Sequence, residues 1–412
     1  MGAPIVIVGA GLAGLVCARR LHRSGMPVVV LEKGPVAGGR LQTDAVDGFL
    51  LDRGFQVVPT GYWGFSHELD VPALRIGAFE PGALVHWRGR LREFLQDDPI
   101  SLGLSRLAGL RDKIRLATYS AELQGADAQG LFEEEDRTAE DELRRAGFGV
   151  EVTDRFLRPF FGGVTLDRSL GVSANFMRFA WKSLAAGPAG IPAQGVRAVA
   201  DQVAADLPPG TLRLGAAVSS VSAEGVRLEN GDSIEAGGVV VATDAASANR
   251  LVGTPAPEYL PSTTVYFAAD RRPFDPAALA LNADLPGIVN HVAVTSSASP
   301  SLAPSGSHLV AATVLGNPGG DDGALARSVL YEMRQWFPLA SVQRWSPLAV
   351  YRIPLAQPKQ PPGFFARRAR TDHAPGVWLA TETCFHASLE GAVLAGRSAA
   401  QSVLAQRMRA AS

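Results

Sequence analysis

Pro4-Ile-Val-Ile-Val-Gly-Ala-Gly-Leu-Ala-Gly14, followed eighteen residues later by Glu32 at the end of Val28-Val-Val-Leu31, decides how this chain folds. The β-branched run Ile5 to Val8 reads as a short strand buried on both faces. Leu15, Ala18, Arg19 and Leu21 then carry a helical period that stops at Ser24-Gly25, and Pro27 opens a second strand. The result is one βαβ unit with a glycine-rich turn at its centre. Gly9 permits the tight turn, Gly11 lets a pyrophosphate approach the backbone, and Gly14 lets helix and strand pack closely. Leu12 and Ala13 open the helix, whose free N–H groups and positive dipole end face the phosphates. Glu32, with Lys33 beside it, is placed to accept hydrogen bonds from a ribose diol, and its charge repels a 2′-phosphate. Strand, glycines, helix, strand and acid in that order predict a Rossmann-type dinucleotide site over residues 4–43.

Bulk properties narrow the classes. At 412 residues the chain exceeds the size at which a single core stops growing, so two domains are expected. With 39 basic and 40 acidic residues it has no bulk attraction for nucleic acid or an anionic membrane. Cys17 and Cys384 are far apart and lack metal-ligand spacing, which predicts no disulfide scaffold, no metal site and a reducing cytoplasm. The apolar start lacks the basic n-region of a signal peptide, and no run has the 18 or so apolar residues of a membrane span. A peripheral membrane contact stays open, with Arg106, Arg111, Lys113 and Arg115 as a basic helix face; the oligomeric state is not legible.

Further along, Ala83 to Trp87 and Leu91 to Phe94 predict a hairpin across Arg88-Gly-Arg90, and helical periodicity covers Leu102 to Leu123. Thr138 and Asp141 form a capping pair ahead of another helix. The cluster Gly187 to Gly195 closes this helical insert. Val196 to Leu207 reads as a helix, and Asn230-Gly231 marks a tight turn in a β-rich stretch. Strands are expected at Val239 to Ala242, Thr263 to Ala269, Val289 to Val294, His308 to Leu315 and Val342 to Ile353. A helix is expected from Ala324 to Trp336. Strands without intervening helices suggest an antiparallel sheet in a second domain. The C-terminal strand Gly376 to Ala380 and helix Leu389 to Gln406 bring the chain back to the first domain.

NAD, NADP and FAD all use a βαβ unit, so a second feature must choose among them. Gly38-Gly39-Arg40 follows the second strand, where the glycines allow close backbone approach and the arginine suits pyrophosphate oxygens. Ile5 to Gly14, Leu31 to Gly34 and Gly38 to Arg40 together resemble the fingerprint of the flavin amine oxidase, phytoene desaturase and protoporphyrinogen oxidase superfamily, which implies FAD held non-covalently. Asp47 to Gly54, with Phe55 after it, resembles the stretch that passes close to the flavin. Thr381-Glu382 and Ser388 to Gly396 resemble the second FAD motif, although the family usually has Asp where this chain has Glu382. There the resemblance implies that Glu382 holds the ribityl or pyrophosphate region and that the helix opening at Leu389 faces the pyrimidine ring. Val218 resembles the valine whose backbone meets the adenine, and Val239 to Thr243, including Ala242, the strand that leaves the following hairpin.

The expected fold class is therefore α/β, a discontinuous Rossmann-type FAD-binding domain with an inserted α+β substrate domain. Residues 1–73, 190–255 and 374–412 are assigned to the first, and 74–189 and 256–373 to the second. Hydride transfer to flavin N5 needs no protein side chain, so catalytic residues are harder to read than cofactor residues. His386, Tyr351 and Lys359 are the weak catalytic candidates, each with a plain structural reading as a packed ring, a strand residue and a solvated lysine. Cys384 suggests a covalent flavin link, but a small buried thiol accounts for it better. Family amine oxidases often show paired aromatics and a lysine beside the flavin; Phe385-His386 stands at that approach here. Phe156 to Gly163 and Phe176 to Trp181 would suit an apolar tunnel. The sequence thus favours C–C desaturation of a small hydrophobic, isoprenoid-like or porphyrinogen-like substrate. The alternatives are a peroxide-releasing amine oxidase and a non-catalytic binder of the Rab escort type.

Overall fold

Ile5–Val8 forms a strand with all four side chains buried, and the computed structural model builds the molecule's central sheet around it. The structure describes residues 3–95, 107–284 and 286–411. That sheet has six strands in the order Leu212–Arg213, Val28–Leu31, Ile5–Val8, Val239–Val241, Val377–Leu379 and Asp372–Ala374. The first five run parallel, and the last pairs antiparallel with its neighbour. The uninterrupted valine, isoleucine and leucine runs follow from helices or loops covering both faces. Helix Leu12–Arg23 packs on one face with Val16, Cys17 and Leu21 fully buried. The C-terminal helix Leu389–Ala411 lies against it so closely that a Cβ at Gly396 would stand 2.3 Å from the Ala13 carbonyl oxygen.

The second large sheet has seven strands: Ser346–Pro358, Tyr259–Ala269, His308–Leu315, Val289–Val294, Leu279–Asn282, Gly82–Trp87 and Arg90–Leu95. It is antiparallel as expected except where Leu279–Asn282 runs parallel to Gly82–Trp87, two strands from distant parts of the chain. Ser346–Pro358 is an edge strand, which is why Pro347, Pro354 and Pro358 are tolerated in it. The expected strand start at Val342 is corrected: Val342–Arg344 is a 3₁₀ turn. Helices Leu110–Gly125, Arg158–Thr165 and Ala174–Ala186 line a common cavity with Leu279, Leu281, His291 and Thr313 of this sheet. The predicted Leu102 start and Arg106 lie outside the described residues. Thr138 caps its helix as expected, its hydroxyl accepting from the Asp141 N–H at 3.1 Å. The Gly187 to Gly195 loop contains a short strand, Ala189–Ile191, that patterning did not reveal. It is the middle of a three-stranded sheet, and Gly190 is required there because a Cβ would come within 2.1 Å of the Gly77 carbonyl oxygen.

Candidate active site

A cavity of about 1550 Å³ runs from the loop Gly9–Ala13 along the C-terminal ends of the parallel strands. It ends in a chamber beneath the seven-stranded sheet. Ordinary small-ligand pockets occupy roughly 300–1,000 Å³, so this space suits a large cofactor together with a substrate.

The glycine loop divides by cause. A Cβ at Gly14 would lie 2.0 Å from the Gly9 carbonyl oxygen, and one at Gly9, whose φ is +104°, would lie 2.6 Å from that of Ala242. The protein itself demands those two glycines. At Gly11 the backbone is ordinary, with φ −70° and ψ 174°, and an added Cβ meets nothing within 4 Å. Gly11 borders the cavity with Leu12 and Ala13, and the helix it caps has neither a side-chain cap nor an acid in its first turn. A bare helix N-terminus and open space fit a phosphate-bearing ligand.

Glu32 lines the cavity beside Lys33, its carboxylate accepting from the N–H groups of Ala10 at 2.9 Å and Gly34 at 2.8 Å. Gly38 and Gly39 lie on the first loop: the Gly38 N–H donates to the Ala10 carbonyl at 2.8 Å, and a Cβ at Gly39 would stand 3.2 Å from the Gly11 Cα. Gly38, at φ +114°, has no room for a Cβ, which would fall 2.6 Å from the Leu41 carbonyl oxygen, and both glycines border the cavity. Val218 and Ala242 line the same end, joined by Glu229, Asp244 and Arg250, which the sequence reading missed. Asp244 carried a readable signal as the N-cap of Ala245–Val252, accepting from the Ser247 N–H at 2.8 Å.

Arg40 and Glu382 meet at the middle of the cavity, 3.0 Å apart. Glu382 Oε1 also accepts from the Tyr259 hydroxyl and, at 3.2 Å, from the Ala245 N–H. Beside them are Gly54, Phe55 and, at the start of the C-terminal helix, Leu389. Ser388 caps that helix by accepting from the Gly391 N–H at 3.0 Å. Glu390 points away from the cavity side, taking the N–H groups of Gly64 and Phe65 at 2.7 and 2.8 Å.

Phe156, Phe160, Phe161, Phe176, Trp181 and Leu281 are among the side chains that wall the chamber. Of its polar groups, the Trp181 indole donates to Ser120 at 2.9 Å and the Gln124 amide to the Ala185 carbonyl at 2.6 Å. Glu80, at the rim, is exposed and takes the Ala277 N–H at 3.0 Å. His291 and Thr313 also line it. The sequence reading passed over both, although Asn290-His291 interrupting an apolar strand was a visible signal.

None of the three weak catalytic candidates lines this cavity, and each stands in its plain structural role. His386 is packed among Phe132, Phe176 and Phe179, with ring centroids 4.3 Å from Phe179. Burial, with Arg368 adding to it, pushes the imidazole down to about 3. The Tyr351 hydroxyl is bonded to Asp44 at 2.8 Å, and Lys359 pairs with Glu258 at 3.3 Å on the surface. Gly14 also stands off the cavity, holding helix to strand. Cys384 is buried outside it, its thiol pushed up by desolvation. Among the described residues no cluster could hold a metal ion, and no helix is long and apolar enough to cross a membrane.

The sequence pattern described as flavin containing amine oxidoreductase matches residues 12–404. Protoporphyrinogen oxidase 2 of Arabidopsis thaliana is 27% identical over 169 residues, 40% of this chain and 33% of that protein. The first relatives matched are spanned over only 7% and 20% of their own lengths. Among solved structures, a protein from Exiguobacterium sp. 255-15 provisionally assigned as a protoporphyrinogen oxidase superposes with a TM-score of 0.75. It is 17% identical, with 98% of this chain and 99% of that one covered. Cyclohexylamine oxidase from Brevibacterium oxydans IH-35A gives a TM-score of 0.71 at 17% identity, covering 99% and 100%. At such identities these structures show a shared fold.

Proposed function

This chain belongs to the flavin containing amine oxidoreductase family; from that premise we propose that it is an FAD-dependent oxidoreductase that oxidises an uncharged lipophilic substrate by C–H hydride loss, as in C–C desaturation. The observation that carries the reading is the chamber wall. Phenylalanine, tryptophan and leucine side chains dominate it, and the carboxylate at its edge, Glu80, is exposed and already bonded. A protonated amine would lose its hydration there without gaining a buried counter-charge, which is costly. Of the four lysines only Lys33 borders the cavity, at the Glu32 end.

In this reading FAD is bound non-covalently by residues 1–73, 190–255 and 374–412, with the remainder of the chain as substrate domain. Gly11, Leu12 and Ala13 would face the pyrophosphate, Glu32 the ribose and Val218 the adenine. Arg40, Gly54, Phe55, Glu382 and Leu389 would surround the ribityl and ring end. When bound, the flavin supplies the hydride acceptor. The protein's part is to exclude water with the aromatic wall and to hold the substrate C–H in contact with the ring. Flavin absorbance of the purified protein, followed anaerobically with a panel of isoprenoid, porphyrinogen and amine compounds, tests this. Bleaching by a neutral lipophilic compound is expected. Bleaching by amines alone, with peroxide formed on adding air, would overturn the substrate class, and failure to take up FAD would overturn the cofactor assignment.

A further inference from the structure

The wall of the apolar chamber carries a polar pair in the sheet. His291 and Thr313 sit directly opposite each other on antiparallel neighbours, Val289–Val294 and His308–Leu315. Val289 pairs with Val314 and His291 with Thr313, so Asn290 is an extra residue in its strand, a bulge of the kind that re-aims side chains near active sites. Both His291 and Thr313 are buried, at 4% and 3% exposure, yet both border the cavity.

Hydrogen bonding fixes the state of the imidazole. The Asn290 amide nitrogen donates to the Pro159 carbonyl at 3.0 Å, which sets the amide's orientation, and meets His291 Nδ1 at 3.0 Å. With Nδ1 accepting, the ring proton of a neutral imidazole resides on Nε2. Burial pushes the ring down to about 4, so it stays neutral near pH 7. Among the described residues His291 Nε2 and Thr313 Oγ1 have no hydrogen-bond partner. Two orphaned polar atoms on one buried face are costly unless a ligand satisfies them. Phe55, 5.1 Å away ring to ring, and Gly163, where a Cβ would fall 3.0 Å from Nδ1, hold the imidazole in place.

We propose that His291 and Thr313 are the polar anchor of the substrate chamber, and that the substrate is a neutral lipophilic molecule bearing a hydrogen-bond-accepting oxygen. A carbonyl is the best match, with the His291 Nε2–H and the Thr313 hydroxyl both able to donate to it. The assignment rests on the apolar-chamber reading and narrows it: a pure hydrocarbon would leave both groups unsatisfied, and a cationic amine would offer the Nε2–H no acceptor.

Fluorenone and fluorene differ in one carbonyl oxygen and have nearly the same shape. Their affinities for the flavin-loaded protein, measured by equilibrium dialysis, should favour the ketone by roughly ten-fold. His291→Phe should bring the two to within about two-fold of each other, and Thr313→Val should reduce the ratio partway. In the wild-type protein the carbonyl stretch of bound fluorenone should lie below its value in a hydrocarbon solvent; in His291→Phe the shift should shrink. The wild-type ratio and stretch need no variant to fold. Equal wild-type affinities would remove the anchor while leaving the apolar reading intact. Binding of neither probe would overturn that reading and the anchor with it. An unshifted carbonyl, with an altered flavin spectrum in ligand-free His291→Phe, would give the Nε2–H to the flavin and overturn the proposal.

Discussion

The Arg40 guanidinium and the Glu382 carboxylate, 342 positions apart in sequence, form an ion pair at 3.0 Å in the middle of the cavity. Arg40 Nε also donates to the Leu355 carbonyl at 3.1 Å, so one side chain ties the loop after the second strand to the C-terminal motif and to the long edge strand. Arg40→Ala should weaken FAD binding by about 10- to 100-fold, the worth of one or two charge-assisted hydrogen bonds. Arg40→Lys should recover only part of this, because an ammonium cannot reproduce the planar fork. Titrating the flavin-free protein with FAD checks both. Unchanged affinity in Arg40→Ala would remove Arg40 from the cofactor site.

Gly11 and Gly14 should respond in opposite ways to the same added methyl group. At Gly11 the Cβ meets no protein atom, so Gly11→Ala should leave the melting temperature of the flavin-free protein nearly unchanged while FAD affinity falls at least about ten-fold. At Gly14 the Cβ would strike the Gly9 carbonyl oxygen at 2.0 Å, so Gly14→Ala should destabilise the fold itself by on the order of 2 kcal/mol. Thermal unfolding with and without FAD separates the two outcomes. A Gly11→Ala protein that bound FAD normally would show that no ligand occupies that space.

This contrast shows what was legible in the sequence. Ile5–Val8, the glycines and Glu32 are local signals, each needing only its neighbours to be read, and Asn230-Gly231 and the Thr138 cap are of the same kind. The sheet order was not legible, because Leu212–Arg213 and Asp372–Ala374 are too short to carry a pattern and are strands only by virtue of their partners. The chamber was half legible. Its phenylalanines stood out as clusters, but their inward direction depends on how the helices pack. His291 stood out as a polar interruption of an apolar strand, but its direction was not legible, because a bulge and not alternation sets it. His386 shows why the packed reading of a ring beside a cofactor motif stays open: adjacency in sequence says nothing about which side of the chain a ring occupies, and here it packs among phenylalanines.

Asp52 lies in the segment that resembles a flavin-lining stretch, yet it is a structural group. Its Oδ1 accepts from the Thr43 hydroxyl at 2.6 Å and the Val196 N–H at 2.9 Å, and burial raises its carboxyl to about 6. A folded-state value above the unfolded one contributes stability that is complete below about pH 4 and is lost as pH rises through 6. Asp52→Asn keeps an acceptor oxygen and has no charge to bury. Its stability relative to wild type should therefore rise between pH 4 and pH 8 by on the order of 2 kcal/mol. Urea midpoints across that range measure it, and parallel wild-type and variant curves would show that Asp52 does not titrate there.

His386 gives the matching test in acid. Its ring is neutral in an aromatic cluster, its Nδ1 2.9 Å from the Ser388 hydroxyl, and its pKa is depressed to about 3. A depressed value contributes stability that is present above about pH 6.5 and is lost as pH falls toward 3, since the unfolded chain takes up the proton first. His386→Phe removes that loss and suits the surrounding rings. From pH 7 to pH 5 the wild type should lose on the order of 2 kcal/mol relative to the variant, read from urea midpoints. His291, similarly depressed, will leave a residual acid sensitivity in the variant. Because His386 lies outside the cavity, the pH profile of flavin reduction should keep its shape in His386→Phe. A lost limb in that profile, with acid stability unchanged, would return His386 to the active site and exclude the packing role.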